Sequence, residues 1–252
     1  MKKAAIILSI FTIFIMSCNH SVSEKPTVFL QDCEEKDYRK LPEIASVDLT
    51  KLLIKNAPYT GMIGDDIQKM EVVFLSITRI NEMEYKIIGK SKVKNNICDF
   101  EGVIEVQNVI ESDIAKSEIA DVDGKVIGKY RFYENKNQPH TGIFEGAFET
   151  YWAYDDDGIV VSSDFWYTAS AYAIIFSGTW KSYQTENIKN ACWSDYKGCF
   201  PSGFNRSDGP DLIPNEEYRS RGWFEADMFS SDEEKRAIAK KEWRENWLDW
   251  WK

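Results

Sequence analysis

Phe144-Glu145-Gly146-Ala147-Phe148-Glu149-Thr150-Tyr151 and Phe176-Ser177-Gly178-Thr179-Trp180-Lys181-Ser182-Tyr183 match position for position, 32 residues apart. Phe100-Glu101-Gly102-Val103-Ile104 is a shorter copy. Side chains of an extended strand alternate between two faces, so Phe, Gly and Phe or Trp at i, i+2 and i+4 share one face. A glycine between two rings leaves room for a ring from the neighbouring strand to lie flat, and it lets the sheet bend. Gly102, Gly128, Gly146 and Gly178 are therefore expected to mark a line of curvature.

The flanking sequence extends the same period. From about Met70, Val72, Phe74, Ser76, Thr78 and Ile80 alternate with Val73, Leu75, Ile77 and Arg79. Runs at 85–93, 100–110, 125–134, 141–154, 159–168 and 172–183 bring the candidate strands to seven. They are joined by turn chemistry at Asn95-Asn96, Asp123-Gly124, Asn135-Lys136-Asn137 and Asp157-Gly158. No helix of crossover length intervenes, so sequence neighbours are expected to be antiparallel sheet neighbours. The expected fold is mainly β: an up-and-down meander of about seven strands at 70–185, curling into a barrel or half-barrel.

Gly178-Thr179-Trp180 resembles the Gly-x-Trp of lipocalins, and the meander resembles the calycin class. The resemblance is one of architecture and implies an up-and-down barrel. Before the barrel, 31–69 is expected to hold a short helix, with Leu49, Leu52 and Leu53 on one side. After it, 186–230 reads as an aromatic loop or cap. Residues 231–252 read as a helix opened by a capping box of Ser231 and Glu234. Trp243, Trp247, Trp250 and Trp251 share one face of that helix and are expected to dock on the barrel or its mouth.

Export is read from the first residues. Lys2 and Lys3 precede an apolar run from Ala4 to Met16, too short to span a bilayer but suited to a signal peptide at 1–17. Ile15-Met16-Ser17-Cys18 resembles the bacterial lipobox, which implies cleavage before Cys18 and acylation of its thiol. Residues 18–30 would then be a tether, and Asn19 in place of Asp implies the outer membrane. Removing 1–17 takes away two lysines and no acids, leaving 29 basic against 41 acidic side chains and a net charge of −12. Such a surface repels phosphate backbones, so no nucleic-acid partner is expected. With 43% hydrophobic and 14% aromatic residues, the chain can bury a core.

In an oxidising compartment, Cys33, Cys98, Cys192 and Cys199 are expected to pair. Cys192 and Cys199 bracket a polar loop short enough to close locally, which leaves Cys33 for Cys98. Zinc is the weaker alternative, because no paired short cysteine spacing and no nearby histidine is present.

For chemistry the sequence offers little, and no catalytic residue, metal or cofactor is expected. The only two histidines are His20 and His140. Glu145 and Glu149 lie ~13 Å apart along a strand, too far for a glycosidase pair. Binding is the favoured class. Trp152, Trp166, Tyr167 and Trp180 are candidates to line one end of a curved sheet, with Asp164 as a polar anchor for a sugar or apolar ligand. A protein partner is equally open. The alternatives are an acidic envelope inhibitor or immunity factor against a basic toxin or enzyme and, behind it, a carboxylate-based glycosidase.

Overall fold

The period-two alternation closes on itself. The computed structural model describes residues 48–111, 124–154, 160–161, 174–195, 197–207 and 211–252. Its strands are β1 (Tyr59–Ile63), β2 (Gln68–Arg79), β3 (Glu84–Val93), β4 (Asn96–Glu111), β5 (Gly124–Glu134), β6 (Gly142–Tyr154), β7 (Val160–Val161), β8 (Ile175–Ser182) and β9 (Ile188–Ser194). Eight of them form an antiparallel up-and-down ring, β1-β2-β3-β4-β5-β6-β8-β9, which β9 closes by pairing with β1. The two-residue β7 only extends the edge of β6. Closure leaves the barrel strands no unpaired edge.

The two copies of the repeated motif are neighbours in the wall. β6 and β8 lie side by side with Gly146 opposite Gly178, Phe144 opposite Trp180 and Phe148 opposite Phe176. Where glycine faces a ring, the ring takes its space. A Cβ on Gly128 would sit 2.4 Å from Cε1 of Phe148, and one on Gly61 would sit 2.5 Å from Cβ of Trp193.

The interior is packed, as eight strands permit. Phe176 stacks on Trp193 at 5.3 Å and on Phe148 at 5.6 Å, and it meets Tyr59, Phe74 and Tyr130 edge-on. One end is stoppered by helix α1 (Thr50–Leu53), whose flank buries Leu49, Leu52 and Leu53 as the sequence reading expects. The Tyr59 hydroxyl donates to the Leu53 carbonyl at 2.5 Å, and the Leu49 N–H donates to the Tyr85 hydroxyl at 3.2 Å. The plug is thus tied to the barrel by the polar tips of two core tyrosines.

The barrel runs wider in sequence than 70–185. β1 falls in the stretch read as helical, and β9 in the stretch read as a loop. β1 is only five residues with Gly61 at its centre, and β9 opens on exposed Ile188, Lys189 and Asn190, so neither shows a clean period. The β3–β4 turn is Lys94-Asn95, since Asn96 already pairs with Val93. Of the expected strand at 159–168, only Val160–Val161 falls within the described residues.

After β9 the chain wraps the outside of the barrel as a lobe. The Cys192–Cys199 disulfide fastens its start. Phe200, Phe204, Tyr218 and Trp223 cluster together, and the Trp223 Nε1–H donates to the Ile67 carbonyl at 2.7 Å. Two helices follow, α2 (Glu225–Met228) and α3 (Glu233–Glu242). The N-cap of α3 is Asp232, not Ser231: its Oδ1 accepts from the amides of Glu234 at 2.9 Å and Lys235 at 3.2 Å. α3 passes into a wider π turn at Trp243–Trp247 and ends there, short of residue 252.

The Trp stripe docks on the wall of β2 and β3, not on the mouth. Lys69, outward on β2, is 1% exposed, with its ammonium 3.9 Å from the Phe224 ring centre and 4.1 Å from that of Trp247. It is ion-paired to Glu225 and lies 3.6 Å from Glu71. Lys92, opposite Glu71, sits 4.3 Å from the Trp247 ring. Glu71 accepts from Trp250 Nε1–H at 2.6 Å. Burial, partly offset by Lys69, raises the Glu71 carboxyl to about 7. Trp243 points away and is exposed.

Candidate functional site: the open mouth of the barrel

Among the described residues, nothing plugs the end opposite α1. Four hairpin turns ring it: Gly64–Ile67, Lys94-Asn95, Asn135–Thr141 and Tyr183–Asn187. Between them lies a pocket of about 440 Å³, within the ~300–1,000 Å³ of small-molecule sites. Ile63, Val93, Phe144 and Trp180 supply its apolar surface; Gln68, Ser91, Asn96 and Glu134 supply polar groups; Asp66, Lys94, His140 and Lys189 stand on the rim.

Glu134 is the buried pivot. It continues the inward series Val126, Gly128, Tyr130, Phe132 along β5 and is 4% exposed. Its Oε1 accepts from the Ser91 hydroxyl at 2.5 Å, and its Oε2 from the Gly142 amide and Trp180 Nε1–H, both at 2.8 Å. The Cys98 thiol adds a further bond. Burial raises its carboxyl above the ordinary value, against these donors. The carboxylate is thus saturated by the protein, and its work is to hold the Trp180 indole and the Ser91 hydroxyl in place. The half-buried Trp180 lines the pocket, with Lys189 directly across on β9 and its ammonium 6.0 Å from the ring centre.

The acceptors that remain point to a hydroxylated ligand. Gln68 spends its amide N–H on the Arg221 carbonyl at 2.5 Å, and Asn96 spends its own on the Pro139 carbonyl at 3.2 Å and the Cys98 sulfur. Their amide oxygens have no donor among the described residues.

Of the expected binding set, only Trp152 and Trp180 fall within the described residues, and they lie apart. Trp180 lines the mouth, but Trp152 is 2% exposed in the core, eight residues beyond Phe144 on β6 and toward the plugged end. Both tryptophans take the inward phase of their strands; register separates them. Trp166, Tyr167 and Asp164 lie outside the described residues, as do Cys18 and Cys33. Glu145 and Glu149 stand on the outer wall, paired with Arg131 at 2.7 Å and Lys125 at 2.8 Å. Cys192 and Cys199 are bonded; Cys98, the partner expected for Cys33, is a free and buried thiol pushed up to about 12 by burial and by Glu134. Among the described residues no three His, Cys, Asp or Glu side chains group as metal ligands.

Glu134, Lys94, His140 and Lys189 escaped the sequence reading. Parity along β5 was the available signal for Glu134. The rim residues come from separate turns and share no sequence pattern. Comparisons with protein-family models, curated proteins and solved structures find no match to this chain.

Proposed function

We propose that this chain is an envelope lipoprotein, anchored in the outer membrane through an acylated Cys18, whose barrel binds a small ligand at its open mouth. The mouth pocket carries the reading: a concave site with one ring platform, amide acceptors and charged groups on its rim. The packed interior leaves this end as the place for a ligand, so the chain is not read as a carrier that swallows a lipid tail. The Cys192–Cys199 disulfide supports an oxidising compartment. Against the acidic-inhibitor reading, the outer wall mixes its charges, with Arg131–Glu145, Lys125–Glu149 and Lys86–Glu101 pairs.

The anchor and the site are tested separately. Cys18→Ala is expected to move the protein from the membrane fraction to the soluble envelope fraction; unchanged partitioning overturns the lipid anchor. For the site, a chemically broad library of small metabolites is screened against the full chain by two-dimensional NMR. A hit is expected to shift the amides of Val93, Gly142 and Lys189 and the Trp180 indole N–H. A library that leaves all four unmoved overturns the mouth as a binding site.

A further inference from the structure

We infer that the mouth pocket takes an acidic sugar: a pyranose-sized polyol bearing a carboxylate. This rests on the mouth being a binding site. Three observations converge on that chemistry.

The first is the distribution of charge. In a chain with ten more acidic than basic side chains, the exposed lining of the pocket sets Lys94 and Lys189 against Asp66, while the other acids of the ringing turns, Asp65 and Glu186, are engaged by Asn190 and Lys181. Neither lysine has a carboxylate within ion-pair distance among the described residues. The other acid of the pocket, Glu134, is buried and has its lone pairs engaged by Ser91, Gly142, Trp180 and Cys98. It has no acceptor left for a ligand, so the solvent side of the pocket favours an anion.

The second is the backbone of the rim. Lys94 adopts φ +55° at the first position of a two-residue hairpin, between Val93 and Asn96, where glycine is the usual occupant. His140 adopts the same φ in the β5–β6 turn. Left-handed backbone is unfavourable for a residue with a Cβ, and Ile67 and Glu186 adopt it in the other two turns of the mouth, so all four turns hold the rim in a strained, fixed geometry.

The third is the complement of the remaining groups. The half-buried Trp180 ring, its edge fixed by Glu134, offers a flat apolar face to a sugar ring. The free amide oxygens of Gln68 and Asn96 and the Asp66 carboxylate accept hydroxyl protons, which a polyol supplies and a plain aromatic acid does not. The lysines then meet the carboxylate through charge-assisted hydrogen bonds.

The experiment titrates the full chain with D-glucuronate, D-glucose and acetate, following the Trp180 indole N–H by NMR and affinity by calorimetry. D-Glucuronate is expected to bind about tenfold or more tightly than either comparator, the worth of one charge-assisted bond or of ring contact. Lys94→Gly is expected to weaken D-glucuronate about tenfold while leaving Tm unchanged or raised, because glycine relieves the turn. Lys189→Gln, which lies on an extended strand, repeats the affinity test without touching a turn. D-Glucose binding as tightly overturns the anion, acetate binding as tightly overturns the sugar, and wild-type affinity in both lysine variants overturns the rim. If D-glucuronate fails while the metabolite library still shifts the mouth amides, only the ligand class falls; if neither shifts them, the mouth reading falls with it.

Discussion

Trp193→Ala is expected to lower the free energy of unfolding by about 4 kcal/mol, as deletion of a fully enclosed large ring does. Trp193 has 0% exposure and stacks on Phe176 with an interplanar angle of 9°. It also meets Tyr130 at 5.1 Å and Phe144 at 5.5 Å, and it sits opposite Gly61. The strand ladder holds the barrel wall, so the interior collapses only partly and a void persists. For a chain of this size, Tm should fall by about 8–16 °C. Trp193→Phe is the control. The indole Nε1–H has no acceptor among the described residues, so phenylalanine loses some volume but also removes an unpaired buried donor. It should cost far less. Urea and thermal unfolding decide: an alanine variant near wild type would mean that the interior is loosely filled, contrary to the packing described.

Lys69→Ala is expected to cost about 3–5 kcal/mol, because removing one partner of a buried ion pair leaves the other charge uncompensated. Two acids are left behind. Glu225 loses its ion pair while its Oε2 is already buried without a partner among the described residues, and Glu71 loses the nearest cation opposing its burial. The loss should depend on pH in a direction opposite to that of ordinary surface carboxylates. Glu71 is raised from 4.5 to about 7 in the folded protein, so between those values the folded state holds more protons than the unfolded one. Its contribution therefore falls as pH rises through that window. Without Lys69 the carboxyl rises further, so the variant should regain part of its stability on going from pH 8 to pH 5. The combination Lys69→Met with Glu225→Gln, which removes both charges, should recover much of the loss. A Lys69→Ala variant equally stable at pH 5 and pH 8 would remove Glu71 from this account.

The lobe also shows why four tryptophans in a terminal segment give no exposed ridge. Trp247 and Trp250 are committed to Lys69, Lys92 and Glu71 on the barrel wall, and Trp243 alone of the earlier part of the stripe is turned out. Helical spacing foretold a shared face, but the helical chain ends at Trp247 and Leu248 is extended, so Trp250 and Trp251 fall outside that phase. Nothing in the local sequence distinguishes Lys69 and Lys92 from Lys86, which is exposed on β3. Their burial follows from where the lobe comes to rest.

Barrel closure shows the same division. The barrel strands β2 to β6 and β8 were legible: β3 to β6 and β8 carry inward rings and glycines on one parity, and β2 carries Met70, Val72 and Phe74. The two strands that turn the meander into a ring, β1 and β9, were not. Each pairs with its sequence neighbour, β1 with β2 and β9 with β8, but the ring closes only where they pair with each other, Gly61 against Trp193 and Met62 against Cys192, and such non-local pairing leaves little trace in a short run of residues. The candidate site follows suit. Trp180 was legible as an inward ring near a strand end; its distance from Trp152 depends on register across β6 and β8.

The amino-acid order by itself determined the antiparallel meander, the shared apolar side of Leu49, Leu52 and Leu53, and the local Cys192–Cys199 bridge. Each depends on residues close in sequence or on a repeated period. Tertiary structure alone decided that the interior is filled, that no described residue plugs one end, and that Glu134, Lys94, His140 and Lys189 line a pocket there. The reason is physical: which side chains share a volume is set by strand register and ring closure, and these are fixed only when segments more than a hundred residues apart, such as β1 and β9, hydrogen-bond to one another.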